Sequence, residues 1–372
     1  MKTINKSIYL VCLIFLAASL NAQSWDLKKN FNVEPGKDLN LDFEIGASLD
    51  LEGWDKNEIS IEIEVDGFEE DEVIFDFDES SRGLMVRGEK YSDFNCNRCG
   101  ISVVVKLPKK FNVEFSTMGG GVKLKNIQGV LEGLTMGGSL SLSELIGKVE
   151  IKTMGGSIEV DRSDIDGMVE TMGGSISMND VKGDVDVKTM GGSISQNNVT
   201  GRTKDGRDVT ISTMGGSIDI DEAPNGADVS TMGGSISANK VGNFFEAETM
   251  GGSIRVKELD GKIRAKTMGG DIEVNMVGDP NKGERDIYLS SMGGDIEVYV
   301  PKGMSMDIEL EIELDGRDNY EIITDFDLEV KGERDEDDWG RRRKIEASGK
   351  IGSGKNKVRI STKSGDIYLR ER

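Results

Sequence analysis

The sequence predicts an all-β fold of the solenoid type, in which the chain winds through similar coils that stack on one another. The first observation is the repeated motif Thr-Met-Gly-Gly-Ser-Ile, in which seven of the nine intervals between methionines are 18 residues and two are 24. The second is that apolar residues on both sides of the glycine pair are two apart, which is the period of a strand. The repeat methionines are Met118, Met136, Met154, Met172, Met190, Met214, Met232, Met250, Met268 and Met292.

The glycine pair marks a corner of each coil. Before the motif the apolar residues are at odd positions, as at Val185 and Val187, and after the preceding glycine pair they are at even positions, as at Ile176 and Met178. The alternation of the side chains therefore shifts by one residue at the glycines. A positive φ or a close backbone approach at such a corner excludes a Cβ. The period therefore predicts a single strand of chain wound at about 18 residues per coil, with equivalent residues about 4.8 Å apart in neighbouring coils.

The residue before each repeat threonine supports stacking in register. Lys152, Glu170 and Lys188 alternate in charge in successive repeats, and Glu248 precedes Lys266 in the same way. Opposite charges side by side across a ladder stabilise it slightly, and like charges would destabilise it.

The N-terminus predicts export. Lys2 and Lys6 precede an apolar run over residues 8–20, which is typical of a secretory signal peptide and too short for a membrane anchor. We expect cleavage after Ala22, so that residues 1–22 are the signal peptide. The rest has no second apolar stretch of membrane-spanning length, which predicts a cell-surface, extracellular or periplasmic protein without a transmembrane segment.

The charge balance argues against two classes of partner. The formal net charge is -22 and becomes -24 when Lys2 and Lys6 are removed with the signal peptide. Nucleic acid and anionic membrane surfaces are poor partners for such a field. A solenoid grows in one dimension and so escapes the size limit of a globular core, which predicts one elongated, monomeric rod.

The cysteines predict a local disulfide. Cys96 and Cys99 are the two that remain after cleavage, and in an oxidising compartment such a close pair is expected to be bonded. A redox dithiol is a weaker alternative, because the pair lies between strands and not at the start of a helix. A zinc site would need two further ligands, and the chain contains no histidine.

The mature chain divides into three parts. Residues 23–115 alternate apolar and polar positions without the motif, which predicts irregular capping coils. Residues 116–300 hold the regular array, and residues 301–372 form the C-terminal cap. Within this cap the degenerate motif at 361–367 has lysine in place of methionine and is expected to form the last coil.

Several short motifs resemble a known family. Gly53-Trp54-Asp55, Leu107-Pro108-Lys109, Val300-Pro301-Lys302 and Gly365-Asp366-Ile367, with the serial Gly-Gly-Ser-Ile, are similar to a bacterial family of putative adhesins with β-strand repeats. Its relatives include the head domains of autotransporter adhesins. The resemblance implies a right-handed β-solenoid, or β-helix, at the cell envelope, with adhesion as its role and no catalytic residues.

The methionine column has three interpretations. Facing inward, methionines would fill the gap that glycine leaves at the corner, and this is the interpretation we favour. Facing outward, they would form a soft adhesive strip or a copper(I) ladder. A calcium-binding roll is not favoured, because each period has one Gly-Gly and lacks the liganding aspartate, so no cofactor or metal is expected.

The two 24-residue periods each carry a six-residue insertion that returns to a strand through Arg-Asp. The insertions are four coils apart on the same side, and loops on a rigid scaffold are common recognition sites. Our candidate binding residues are Lys204, Arg207, Asp208, Lys282, Arg285 and Asp286.

These features predict a secreted, non-enzymatic adhesin or structural, surface-binding protein of the bacterial cell envelope, whose partner is a surface glycan or protein of unknown identity. The first alternative is a periplasmic module for envelope maintenance or stress sensing that binds a protein or peptide. A polysaccharide-active β-helix enzyme is the third hypothesis, since outward carboxylates could act as an acid and base pair. The outward carboxylates are Glu159, Asp161, Asp219 and Asp221.

Overall fold

The computed structural model describes residues 24–91, 99–201, 209–314, 320–332 and 343–372. These ranges contain 29 strands, all in one sheet system, and no helix, which confirms the all-β prediction. Among the described residues, therefore, no helix is long and apolar enough to cross a membrane.

The strands follow the three parts of the sequence. The N-terminal part contains β1 Ser24–Asn32, β2 Asp38–Trp54, β3 Glu58–Asp66, β4 Val73–Glu79, β5 Gly83–Lys90, β6 Gly100–Pro108 and β7 Asn112–Gly119. The regular array contains β8 Val122–Lys125, β9 Gln128–Thr135, β10 Leu140–Ser143, β11 Ile146–Thr153, β12 Ile158–Thr171, β13 Ile176–Lys182, β14 Val185–Thr189, β15 Ile194–Thr200, β16 Val209–Thr213, β17 Ile218–Ala223, β18 Ala227–Thr231, β19 Ile236–Thr249, β20 Ile254–Lys266, β21 Ile272–Met276, β22 Ile287–Ser291 and β23 Ile296–Val300. The C-terminal part contains β24 Met306–Leu314, β25 Ile322–Thr324, β26 Glu329–Gly332, β27 Arg343–Ile351, β28 Asn356–Thr362 and β29 Ile367–Glu371.

Strands of the regular array pair in parallel with their equivalents in the next repeat. Ile158 lies opposite Ile176, which lies opposite Ile194 in turn. Across the first six-residue insertion the register is kept, because Thr189 lies opposite Thr213. The ladder therefore continues across this insertion without a change of register.

The N-terminal cap is built out of chain order. The first half of β2 lies between β5 and β7, and its second half lies between β6 and β8. Antiparallel strands then close this end, since β4 pairs with β5 while β3 pairs with β6 and carries β1 on its far side. Terminal antiparallel strands change the edge that a parallel ladder would otherwise present to another chain.

The C-terminal cap is also built out of chain order. Strands β28 and β29 stack on β22 and β23, and β24 and β25 then stack on the far side of β28 and β29. The degenerate motif at 361–367 thus forms a coil, but the expectation that it is the last coil is wrong. After Val300 the chain first builds the outer layer and only then returns to fill the space beneath it.

One face of the molecule is an unbroken ladder from end to end. Its order along the axis is β4, β5, β2, β7, β9, β11, β12, β14, β16, β18, β19, β20, β22, β28, β24, β27 and β26. At about 4.8 Å per strand, this ladder is roughly 75 Å long.

The core runs along the inside of the coils. Alternate residues of each strand are buried, as in β14, where Val185 and Val187 face inward and Asp186 faces out. The N-terminal cap adds aromatic rings, with Phe43 and Phe111 almost fully buried. The alternation that predicted strands therefore also identifies the inward positions.

Candidate functional site

The repeat threonine faces inward, although it is polar. Thr171 is fully buried, and its hydroxyl group donates to the carbonyl oxygen of Gly156 in the previous coil at 2.7 Å. The hydroxyl oxygen of Thr171 also accepts a hydrogen bond from the backbone N–H of Gly174 at 3.3 Å. The motif threonine therefore ties each corner to the corner before it. Side chains making the same bond to the previous coil belong to Thr135, Thr153, Thr189, Thr213, Thr231, Thr249, Thr267, Ser291 and Thr362.

Replacing Thr171 with valine is expected to lower the free energy of unfolding by about 1–3 kcal/mol, because it leaves the Gly156 carbonyl and the Gly174 amide buried without this partner. Chemical denaturation followed by circular dichroism measures the effect. Thr171→Ser keeps the hydroxyl group and is the control. An equal loss in both variants would show that the methyl group, and not the hydrogen bonds, stabilises the corner.

The second glycine of each pair is required by close backbone approach. A Cβ on Gly174 would clash with the carbonyl group of Gly156 one coil away. A Cβ on Gly173 would make ordinary contacts, with its nearest atoms at 3.5 Å. A positive φ and a close backbone approach were both possible reasons for glycine at this corner, and close approach is the one that applies.

The methionine column faces outward, so the inward orientation that we favoured is wrong. The ten repeat methionines are between 41% and 56% exposed, with Met118 the most exposed. The chain turns directly after the buried threonine, which puts the next side chain outside the coil. The result is an apolar strip along one corner of the rod.

A column of serines runs beside the methionine strip. The backbone N–H of Ser175 donates to Oγ of Ser157 at 3.2 Å, and Ser193 donates to Ser175 in the same way. The column continues to Ser253, after which aspartates take over, with the N–H of Asp295 donating to Asp271 at 3.0 Å. The corner therefore presents thioethers, bare glycine backbone and hydroxyl groups in three parallel lines.

A second surface lies near the C-terminal end of the rod. It is on the face formed by the strands that end at the repeat threonines. It is a trough of about 840 Å³, and we call it the C-terminal trough. Two outward columns line it, in register across β18, β19, β20, β22, β28 and β24. One column is Asp228, Glu246, Arg264, Tyr288, Arg359 and Glu309; the other is Ser230, Glu248, Lys266, Ser290, Ser361 and Glu311.

The charges of the C-terminal trough pair with one another along the columns. The Arg264 guanidinium group lies 3.8 Å from Glu246 and 5.2 Å from the ring centre of Tyr288. The Arg359 side chain contacts Glu309 at 2.9 Å. Because surface pairs of this kind contribute little to stability, a ligand with charged or hydroxyl groups can replace them.

Residues 245–370 match the model of the Toastrack family, DUF4097. This part of the chain is therefore similar to Toastrack domains. The match confirms the resemblance to the β-repeat family that the sequence motifs indicated. Most of the C-terminal trough, from Glu246 to Arg359, is built by residues of this matched segment.

Three solved structures of bacterial proteins show some similarity to this chain. A putative adhesin from Parabacteroides merdae is 15% identical, with 68% of this chain and 96% of that chain covered and a TM-score of 0.41. A putative cell adhesion protein from Clostridium sporogenes is 13% identical, with 94% and 100% covered and a TM-score of 0.20. A putative lipid binding protein from Parabacteroides distasonis is 15% identical, with 68% and 97% covered and a TM-score of 0.32. No curated protein matches the sequence.

The second insertion loop lies within the segment that matches the Toastrack model and has exposed charges at its tip. The side chains of Lys282 and Glu284 are 82% and 78% exposed, and they border a cleft of about 690 Å³. The backbone N–H of Asn281 donates to the carboxylate of Asp279 at 3.0 Å and lowers the pKa of that carboxyl group, and Lys282 lowers it by a smaller amount. The predicted binding residue Lys282 is therefore accessible.

Arg285 has a different role from the one that the sequence predicted. It is 2% exposed, and its guanidinium group donates to the carbonyl oxygens of Val277 at 2.7 Å and Asp279 at 3.1 Å and to Asp260 at 2.5 Å. Its side chain holds the loop together from a nearly buried position at the wall of the cleft. Asp286 likewise accepts from the backbone N–H of Lys357 at 2.8 Å.

Other candidate residues fall partly beyond the structural description. Lys204, Arg207 and Asp208 of the first insertion lie outside the described residues, as does Cys96. Cys99 is disulfide-bonded. The C-terminal trough was not predicted from the sequence, although one period of 18 and one of 24 residues counted from Glu246 lead to Arg264 and Tyr288.

Proposed function

We propose that the mature protein is an exported, non-enzymatic rod that binds at the bacterial cell envelope, as an adhesin or a structural surface protein. The observation that carries this proposal is the unbroken ladder, beside which one corner presents the same Met-Gly-Gly sequence in repeat after repeat along one axis. Such a scaffold multiplies weak contacts, so that a ligand with repeated groups gains avidity without a deep pocket.

The finer description of the fold belongs to the same proposal. We take the coil to contain about 18 residues, which is supported by parallel pairing of residues 18 apart, as between Ile176 and Ile194. We take it to be right-handed from the family resemblance alone. The predicted boundaries at residues 115 and 300 and the monomeric state are part of this description.

A binding role is supported by the surroundings of the outward carboxylates that the enzyme hypothesis would use. Glu159 lies between Ser141 and Ser177 in the ladder, and Asp219 lies between Ser195 and Ser237. Neither faces a second carboxylate across the strands. Asp161 and Asp221 lie two residues further along the same strands, on the same side. Asp161 is paired with Arg162, and Asp221 accepts a hydrogen bond from the Asn239 side chain, so neither is a free partner for an acid and base pair.

The test is protease shaving of intact cells that produce the tagged protein, with a known periplasmic protein as the leakage control. We expect the rod to be cleaved while the control survives, because a surface protein is accessible. Protection of both proteins until the outer barrier is opened would contradict the adhesin proposal.

A periplasmic module that binds a protein or peptide is the second candidate, and the C-terminal trough favours it. The trough offers carboxylates, guanidinium groups and a tyrosine ring within one concave surface, which suits a peptide with charges of both signs. A photo-crosslinking residue in place of Tyr288 would capture such a partner, whereas one in place of Asp219, on a different face, would not. Equal capture at both positions would count against a trough ligand.

A further inference from the structure

The methionine strip occupies a position where packing does not dictate the residue type. Each of its side chains is more than two-fifths exposed, yet all ten repeats carry methionine. Recent duplication does not explain this, because exposed neighbours have diverged among the repeats: the residue before the threonine is Lys152, Glu170 or Ser212. The recurrence of one thioether per coil therefore calls for a reason in the chemistry of sulfur.

The spacing of the strip suits an ion shared by adjacent coils. The N–H of Gly191 donates to the carbonyl oxygen of Met172 at 3.0 Å, so Met172 and Met190 are direct neighbours across the ladder, about 4.8 Å apart. Metal–sulfur bonds are about 2.3 Å long, so an ion between two sulfur atoms in line spans about 4.6 Å. The three rotatable bonds of methionine let the sulfur atoms adjust further, and a third one can approach.

The ligand type selects the metal. Thioethers are soft and neutral and favour copper(I), whereas harder divalent ions need imidazole, thiolate or carboxylate ligands. The chain has no histidine, and within the described ranges no group of three or more cysteine, aspartate or glutamate residues could hold a metal ion. From Met136 to Met250 the strip is bordered by glycine and serine, and aspartate replaces serine only beside Met268 and Met292. Over most of its length, therefore, a soft monovalent cation meets no competing charged ligand.

We propose that the methionine strip binds copper(I), with each ion held by thioethers from consecutive coils. The ion arrives and stays as copper(I), so binding needs no electron transfer. Thioethers carry no proton, so the ligands themselves add no pH dependence to the affinity. This inference stands apart from the adhesin proposal, because it rests on the corner column and not on location or partner.

Anaerobic titration of the mature protein with copper(I) against a chromophoric copper(I) chelator tests the proposal. We expect several copper ions per chain, with an X-ray absorption spectrum that shows sulfur alone in the first shell. Replacing Met172, Met190, Met214 and Met232 by leucine, which preserves volume, should reduce the number of bound ions. The matched control replaces the buried Met178 and Met276 by leucine and should leave the number unchanged.

Two further measurements keep the test decisive. Protein labelled with selenomethionine should show a copper–selenium shell, a result that needs no substitution and so does not depend on how the leucine variant folds. The variant with Cys96→Ser and Cys99→Ser should bind as many ions as the native chain. Full binding by the four-leucine variant, loss of binding in the serine variant, or nitrogen and oxygen in the first shell would each overturn the proposal.

Discussion

Replacing Gly174 with alanine is expected to lower the free energy of unfolding by about 3 kcal/mol, the upper end of the usual cost of forcing an extra carbon into a packed site. The added Cβ would clash with the carbonyl carbon and oxygen of Gly156 and the amide nitrogen of Ser157. These are backbone atoms of the neighbouring coil, and they cannot rotate away as a side chain can. The coils must separate locally, which also weakens the bonds of Thr171.

The matched control is Gly173→Ala, one residue earlier in the same pair. Its Cβ would lie 3.5 Å from its nearest atoms, so we expect little change. Denaturant titration of both variants, followed by circular dichroism and by limited proteolysis at this coil, makes the comparison. Equal stability of the two variants would contradict the close approach of the coils at this corner.

Replacing Arg285 with alanine is expected to lower stability by about 2–3 kcal/mol and to loosen the second insertion loop. The change leaves the carbonyl oxygen of Val277 without this partner, and an unsatisfied buried group costs about 1–3 kcal/mol. It also removes one of the two hydrogen bonds that the Asp279 carbonyl oxygen accepts, the other coming from the backbone N–H of Lys282. The pair with Asp260 adds less, because that carboxylate is 59% exposed.

Lys282→Ala tests the same loop at its exposed tip. Lys282 is 82% exposed and pairs only with a surface carboxylate at 3.3 Å, so its loss should change stability by less than about 1 kcal/mol. Thermal unfolding and hydrogen exchange of residues 277–286 distinguish the two variants. If Lys282→Ala proved the more harmful change, the structural role that we assign to Arg285 would be wrong.

The ladder could be predicted from sequence because one period governs both sequence and contacts. The residues before the threonines, such as Lys152 and Glu170, are neighbours in the structure as the spacing indicated. The orientation of the corner could not be predicted from hydrophobicity. Thr171 is polar but finds backbone partners inside the coil, whereas Met172 is apolar but lies after the turn.

The strand order of the two caps could not be predicted from the sequence. Alternation identified their strands, but neither a motif nor a period indicated that β2 lies between β5 and β7, or that β28 lies between β22 and β24. These pairings join residues far apart in the chain and depend on tertiary packing. The role of Arg285 was missed for a similar reason, since the groups it contacts come from a neighbouring coil and from the loop itself.

Small-angle X-ray scattering of the mature protein in solution tests the central claim, that the chain forms one rod of stacked coils. The ladder predicts a maximum dimension of roughly 75–80 Å and a scattering profile with a rod-like region. A compact globule of the same chain length would have a radius of gyration of about 20 Å and no such region. A globular profile of that kind would contradict the solenoid architecture and, with it, the continuous surfaces described above.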